Sequence, residues 1–134
     1  MTASEGSAPE GPKPASASVT RQNAAVLREL PFDDTQDFED ARRGFLGTIE
    51  DAHIVGPTGR VVWTMRTYGF QRDEAAPPSV NPSLWRQARL NAIHGLFEVV
   101  PGIYQVRGFD IANMTLIEGQ SGVILVDTLT GVET

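Results

Sequence analysis

Gly95-Leu96-Phe97-Glu98-Val99-Val100-Pro101-Gly102-Ile103-Tyr104-Gln105-Val106-Arg107-Gly108 is the stretch whose pattern decides the fold. Two short runs rich in Val, Ile, Phe and Tyr flank Pro101-Gly102, a pair that favours a tight turn, so two antiparallel strands are expected. Similar runs follow at Met114-Thr115-Leu116-Ile117 and Val123-Ile124-Leu125-Val126, with Gly108 and Gly119-Gln120-Ser121-Gly122 between them. The whole reads as a meander of strands. Its last member is apolar at every position, the pattern of a strand covered on two faces. Only Asp127 to Thr134 follow in the sequence, so an assembly or further chain is expected to supply the second cover.

Upstream, Asn81-Pro82 opens a helix in the usual way, with Asn at the cap and Pro at the first helical position. Leu84, Trp85, Ala88 and Ile93 give it an apolar side, and Gly95 is expected to end it. Asp73 to Ser79 is polar and contains Pro77-Pro78, which denies it helix. Ala52-His53-Ile54-Val55, the turn cluster Gly56-Pro57-Thr58-Gly59 and Arg60-Val61-Val62-Trp63 predict a hairpin.

Two helices are expected before that hairpin. Arg21 to Leu30 carries Asn23, Val26, Leu27 and Leu30 on one stripe and is closed by Pro31. The second is capped by Asp33 or Asp34. Its acidic Asp37, Glu39 and Asp40 precede the basic Arg42 and Arg43, an order that complements the helix dipole. A Glu39–Arg43 pair is expected within it, with Phe38, Ala41 and Phe45 toward the core. Residues 1–18 are mainly Ala, Ser, Pro and Gly, which bury too little apolar surface to offset the entropy of ordering, so they read as a disordered tail. The expected divisions are therefore 1–18, a helical and hairpin segment over 19–95, and strands over 96–134.

At 134 residues, with 40 % hydrophobic and 21 % charged residues, the composition is that of a folded domain. The net charge of −6 argues against nucleic acid as a partner. No apolar run is long enough to span a membrane, and residues 1–18 lack the apolar core of a secretory signal, so a cytoplasmic location is expected. Cysteine is absent. Thiolate ligands, disulfides and a cysteine nucleophile are absent with it.

The two histidines, His53 and His94, have no partner at metal-binding spacing, and each reads as a structural residue. The serine-hydrolase elbow G-x-S-x-G does not occur, nor does a Gly-rich phosphate loop. Most carboxylates fall in the acidic helix and read as a solvated face. No self-contained catalytic constellation emerges.

Two blocks of sequence remain distinctive: Arg42-Arg43-Gly44-Phe45, and Asn81-Pro82-Ser83-Leu84-Trp85-Arg86-Gln87-Ala88 joined to Gly95-Leu96-Phe97-Glu98-Val99-Val100 and Gly102-Ile103-Tyr104-Gln105-Val106-Arg107-Gly108. Over roughly residues 20–134 they resemble the amino-terminal portion of alkyl/aryl sulfatases of the metallo-β-lactamase superfamily, which hydrolyse sulfate esters such as dodecyl sulfate. The resemblance implies an α+β fold, in which amino-terminal helices and the first antiparallel strands make an incomplete αββα sandwich. It also implies a homodimer, family members that can be exported, and two zinc ions held by a His-x-His-x-Asp-His motif that this sequence does not contain. No zinc ligand is expected from this chain, and it is expected to be inactive alone.

In such proteins the loop matching residues 107–113 overhangs the metal. Phe109, Asp110 and Asn113 are thus candidate substrate-binding residues: Phe109 beside an alkyl chain, Asp110 or Asn113 orienting a neighbour. The competing reading makes Phe109 a core plug and Asn113 a turn residue. Asp127 is expected to end the buried strand and shape the next turn. The alternative function is a non-enzymatic interaction domain that pairs its open sheet with a partner chain.

Overall fold

A computed structural model describes residues 13–73 and 75–134. The tail expected over residues 1–18 lies mostly outside the described residues. Helix α1 spans Ala17–Glu29 and begins four residues before the expected start, because the Ser16 hydroxyl accepts a hydrogen bond from the Val19 N–H at 3.3 Å. Asn23, on the expected stripe, donates to the Pro78 carbonyl at 2.8 Å and ties the helix to the loop before α3.

Helix α2, Gln36–Arg42, is shorter than its charge pattern suggested. The cap position is Thr35 rather than the expected Asp33 or Asp34, and the Asp34 side chain accepts from the Gln36 N–H at 3.0 Å just before it. Phe45 and the Glu39–Arg43 pair are corrections. Arg43 already has extended backbone, so the i,i+4 spacing lapses and its guanidinium meets Asp40 instead. Phe45 belongs to strand β1, Phe45–Gly47, where it is half exposed and sets its ring edge-on to Phe97 at 5.5 Å. Gly44 makes that break: its φ is +72°, and a Cβ there would lie 2.0 Å from the Glu98 carbonyl oxygen.

Strands β2 (His53–Val55) and β3 (Val61–Thr64) form the expected hairpin, a separate two-stranded sheet. A 3-10 turn over Arg66–Arg72 follows. Helix α3 runs Pro82–Asn91 with the Asn81 side chain accepting from Ser83 and Leu84 N–H groups, as its sequence predicts. Its end differs: Ala92 takes the cap, bonding the Ala88 carbonyl, and Gly95 starts the next strand instead of ending the helix. Trp85 is buried, and its indole N–H donates to the Asp73 carbonyl at 3.0 Å. Leu84, expected on the apolar side, points to solvent.

Strands β4 (Gly95–Val100), β5 (Ile103–Arg107), β6 (Met114–Glu118) and β7 (Val123–Val126) complete an antiparallel five-stranded sheet in the order β1-β4-β5-β6-β7. Register places Phe97, Gln105, Thr115 and Val126 in one row on one face and Glu98, Tyr104, Leu116 and Leu125 in a row on the other. Phe97 is 0 % exposed and is the centre of the core. The arrangement is α+β, as expected.

The expected burial of β7 is not met. Its four residues are 50–61 % exposed, because it is the outermost strand and pairs only with β6 among the described residues. An apolar pattern suited to two covered faces thus stands open on both.

Candidate functional site

The β5–β6 connection, residues 107–113, is built from both ends. At Gly108 the backbone has φ +78°, and a Cβ would come within 2.5 Å of the His94 Cβ, so the loop crosses His94 at a distance only glycine allows. The Trp63 indole N–H donates to the Gly108 carbonyl at 2.9 Å and fastens the small sheet to this crossing. Phe109 then turns inward and meets the His94 ring edge-on at 5.7 Å. Phe109 is buried beneath the loop.

His94 Nδ1 lies 3.0 Å from the Ala92 carbonyl. A carbonyl only accepts, so Nδ1 donates, and Nε2 is buried with no hydrogen-bond partner among the described residues. His53 lies elsewhere, its ring 3.2 Å from the Thr64 hydroxyl. Among the described residues no three His, Asp or Glu side chains gather to hold a metal.

Asp110 is 6 % exposed. Its carboxylate accepts from the Ile111 N–H at 2.6 Å, the Thr130 N–H at 2.9 Å, the Thr130 hydroxyl at 2.7 Å and the Thr134 hydroxyl at 2.8 Å. These bonds, led by the Thr130 hydroxyl, outweigh burial and hold its carboxyl well below the usual range. Asp110 is thereby committed to clasping the segment after β7 to the loop. Asp127 and Leu129, with φ of 58° and 68°, turn that segment back toward it.

Asn113 stays exposed at the rim of a cavity of about 550 Å³. Trp63, Met65, Tyr68, Ala88 and Arg107 also line it. The loop therefore places Asp110 and Asn113 on one cavity and Phe109 beneath it. Sequence reasoning missed Trp63, Met65, Tyr68 and Arg107, which only the packing of β3 and the 3-10 turn against α3 and β5 brings together. Arg107, a cation at the end of an apolar strand, was the one local signal.

Arg107 Nε donates to the Gln105 side-chain oxygen at 2.5 Å and Nη1 to the Ala41 carbonyl at 3.5 Å, with the guanidinium 4.3 Å above the Phe97 ring. All three partners are neutral.

The sheet, helices and loop together are shared with solved alkylsulfatases. The chain is homologous to that class and corresponds to its amino-terminal portion. Among solved structures, the stereoselective inverting sec-alkylsulfatase Pisa1 from Pseudomonas sp. superposes with a TM-score of 0.83 at 55 % identity, over 90 % of this chain and 19 % of its own. Among curated relatives, an alkyl/aryl-sulfatase of Saccharomyces cerevisiae is 52 % identical over 96 % of this chain and 20 % of its own length. An (R)-specific secondary-alkylsulfatase of Pseudomonas sp. is 55 % identical over 91 % and 18 %. A linear primary-alkylsulfatase of Pseudomonas sp. is 47 % identical over 95 % and 19 %. The chain thus spans about a fifth of the length of these relatives. No family model matches the chain.

Proposed function

We propose that these residues form the leading segment of a zinc-dependent alkylsulfatase that hydrolyses sulfate esters such as dodecyl sulfate. The observation that carries the reading is the 55 % identity and 0.83 TM-score to a sec-alkylsulfatase over 90 % of the chain. In this reading the sheet is the first part of a metallo-β-lactamase-type αββα sandwich, and the complete enzyme is a homodimer. Zinc, which activates water and stabilises developing negative charge when bound, is held in the complete enzyme by residues other than these 134. The segment contributes the sheet edge and the 107–113 loop, and it is inactive alone.

The direct experiment incubates the purified 134-residue chain with excess zinc and dodecyl sulfate. No stoichiometric zinc and no released sulfate are expected; turnover would overturn the division of labour. The family reading is tested by grafting residues 13–134 in place of the matching segment of the Pseudomonas secondary-alkylsulfatase. A second reading is favoured by the open faces of β7: a non-enzymatic module that pairs this edge with a partner chain. A soluble, folded, concentration-dependent oligomer together with a folded but inactive graft would select it.

A further inference from the structure

We propose that residues 127–134 are a strap, locked by the buried Asp110 carboxylate, that makes the β2–β3 hairpin and the 107–113 loop open and close as one unit. The cavity that hairpin and loop both line keeps its shape while the lock holds. Three contacts close a triangle and carry the strap independently of the alkylsulfatase reading.

The first side joins hairpin to loop. The Trp63 indole N–H donates to the Gly108 carbonyl at 2.9 Å, across 45 positions of sequence. A two-stranded hairpin has little stability of its own, so its place depends on such ties to its neighbours.

The second side joins loop to strap. Asp110 is 6 % exposed, and no ion pair reaches it among the described residues. A buried charge without a counter-ion depends on hydrogen bonds to its charged form. Among the described residues, its donors outside its own loop all belong to the strap: the Thr130 N–H, the Thr130 hydroxyl and the Thr134 hydroxyl. These donors, with the Thr130 hydroxyl foremost, hold the carboxyl well below its usual range and keep the lock charged near neutral pH. A strap lifted away without the loop would leave a buried carboxylate stripped of those donors, so the two segments move together.

The third side joins strap to hairpin. A Cβ added at Gly131 would lie 3.6 Å from Val62 Cγ1 on β3, and one at Gly56, in the hairpin turn, would lie 3.2 Å from a Glu133 carboxylate oxygen. Strap and hairpin are therefore in packing contact at two points. Asp127 and Leu129, with φ of 58° and 68°, bend the chain after β7 into this path. Left-handed backbone is unfavourable for such residues and persists where surrounding contacts enforce it. The contacts with Asp110, Val62 and Gly56 are the ones that do so here.

Each segment thus touches the other two. Trp63 on one cavity wall and Gly108, Asp110 and Asn113 on another are tied through the same strap. Segments linked in this way open as a cooperative local unit.

Indole N–H exchange in the 134-residue chain, followed by NMR, reads the lock at a distance from it. Trp63 reports the hairpin–loop contact, and Trp85, bonded to the Asp73 carbonyl, is the internal control. Thr130→Val removes the hydroxyl and is expected to speed Trp63 exchange at least tenfold while Trp85 stays within twofold. Thr130→Ser keeps the hydroxyl and should leave both within twofold. An unchanged Trp63 in Thr130→Val, an equal rise at Trp63 and Trp85, or a Ser variant as fast as the Val variant would each overturn the strap. If Thr130→Val fails to fold, Thr134→Val decides. A rise of at least threefold confined to Trp63 then supports the lock, and an unchanged Trp63 or an equal rise at both rings overturns it.

Discussion

The Arg86 guanidinium grips the Asp37 carboxylate with two prongs, Nε to Oδ2 at 2.7 Å and Nη2 to Oδ1 at 2.6 Å, and so joins α3 to α2. The same guanidinium donates to the carbonyls of Phe32 and Asp34 in the α1–α2 connection. One side chain therefore organises three elements, and planar fork geometry is what makes this possible.

Lysine keeps the charge of Arg86 but not the fork. Arg86→Lys is expected to lower the thermal midpoint by roughly 3–8 °C, measured by circular dichroism. An unchanged midpoint would mean that the clamp contributes little to stability.

Asp37 and Asp110 set the acid response. Arg86 holds the Asp37 carboxyl below its ordinary value of 3.8, and the Thr130 hydroxyl is the main cause of the lowering at Asp110. The unfolded chain thus binds more protons. The stability these groups contribute is present above their ordinary value and is lost as pH falls through the lower folded value. Urea midpoints should hold near neutrality and drop below about pH 4. Thr130→Val should lower the neutral midpoint and flatten the acid limb; a parallel downward shift at all pH values would contradict the role given to Thr130.

The core is tested at its centre. Phe97→Ala is expected to cost about 3–5 kcal/mol in urea unfolding, since the residue is fully buried between Phe45 and Arg107. Gly44→Ala should also be severe, because the backbone oxygen of Glu98 occupies the space of the new Cβ. A mild effect at Gly44 would show that β1 can leave β4 cheaply.

Open apolar strands associate. Light scattering of the 134-residue chain should rise with concentration, and Ile124→Lys, on the exposed β7, should reduce it with little change in midpoint. Unaltered scattering would move the sticky surface elsewhere.

Local chemistry made much of this legible. The Asn81 cap, Pro82 and the Pro101-Gly102 turn are decided within a few residues, and α3 and the β4–β5 hairpin follow from them. Three-residue β1 was hidden because its pairing partner lies about fifty positions away and its break from α2 depends on how closely Glu98 approaches Gly44. Asp110 was visible as a polar loop residue, but its bonds to Thr130 and Thr134 arise only when the chain after β7 folds back. The partners of Arg107 were equally invisible: Ala41 is 66 positions away. No helix among the described residues is long and apolar enough to cross a membrane.

The central claim is that these residues are an interchangeable leading segment of an alkylsulfatase. Replacing the matching segment of the Pseudomonas secondary-alkylsulfatase with residues 13–134 and measuring sulfate release from a secondary alkyl sulfate tests it most directly. A soluble graft that releases sulfate at a rate within about tenfold of the parent, a barrier difference of at most about 1.4 kcal/mol, is expected. A folded, zinc-loaded graft with no sulfate release would contradict it.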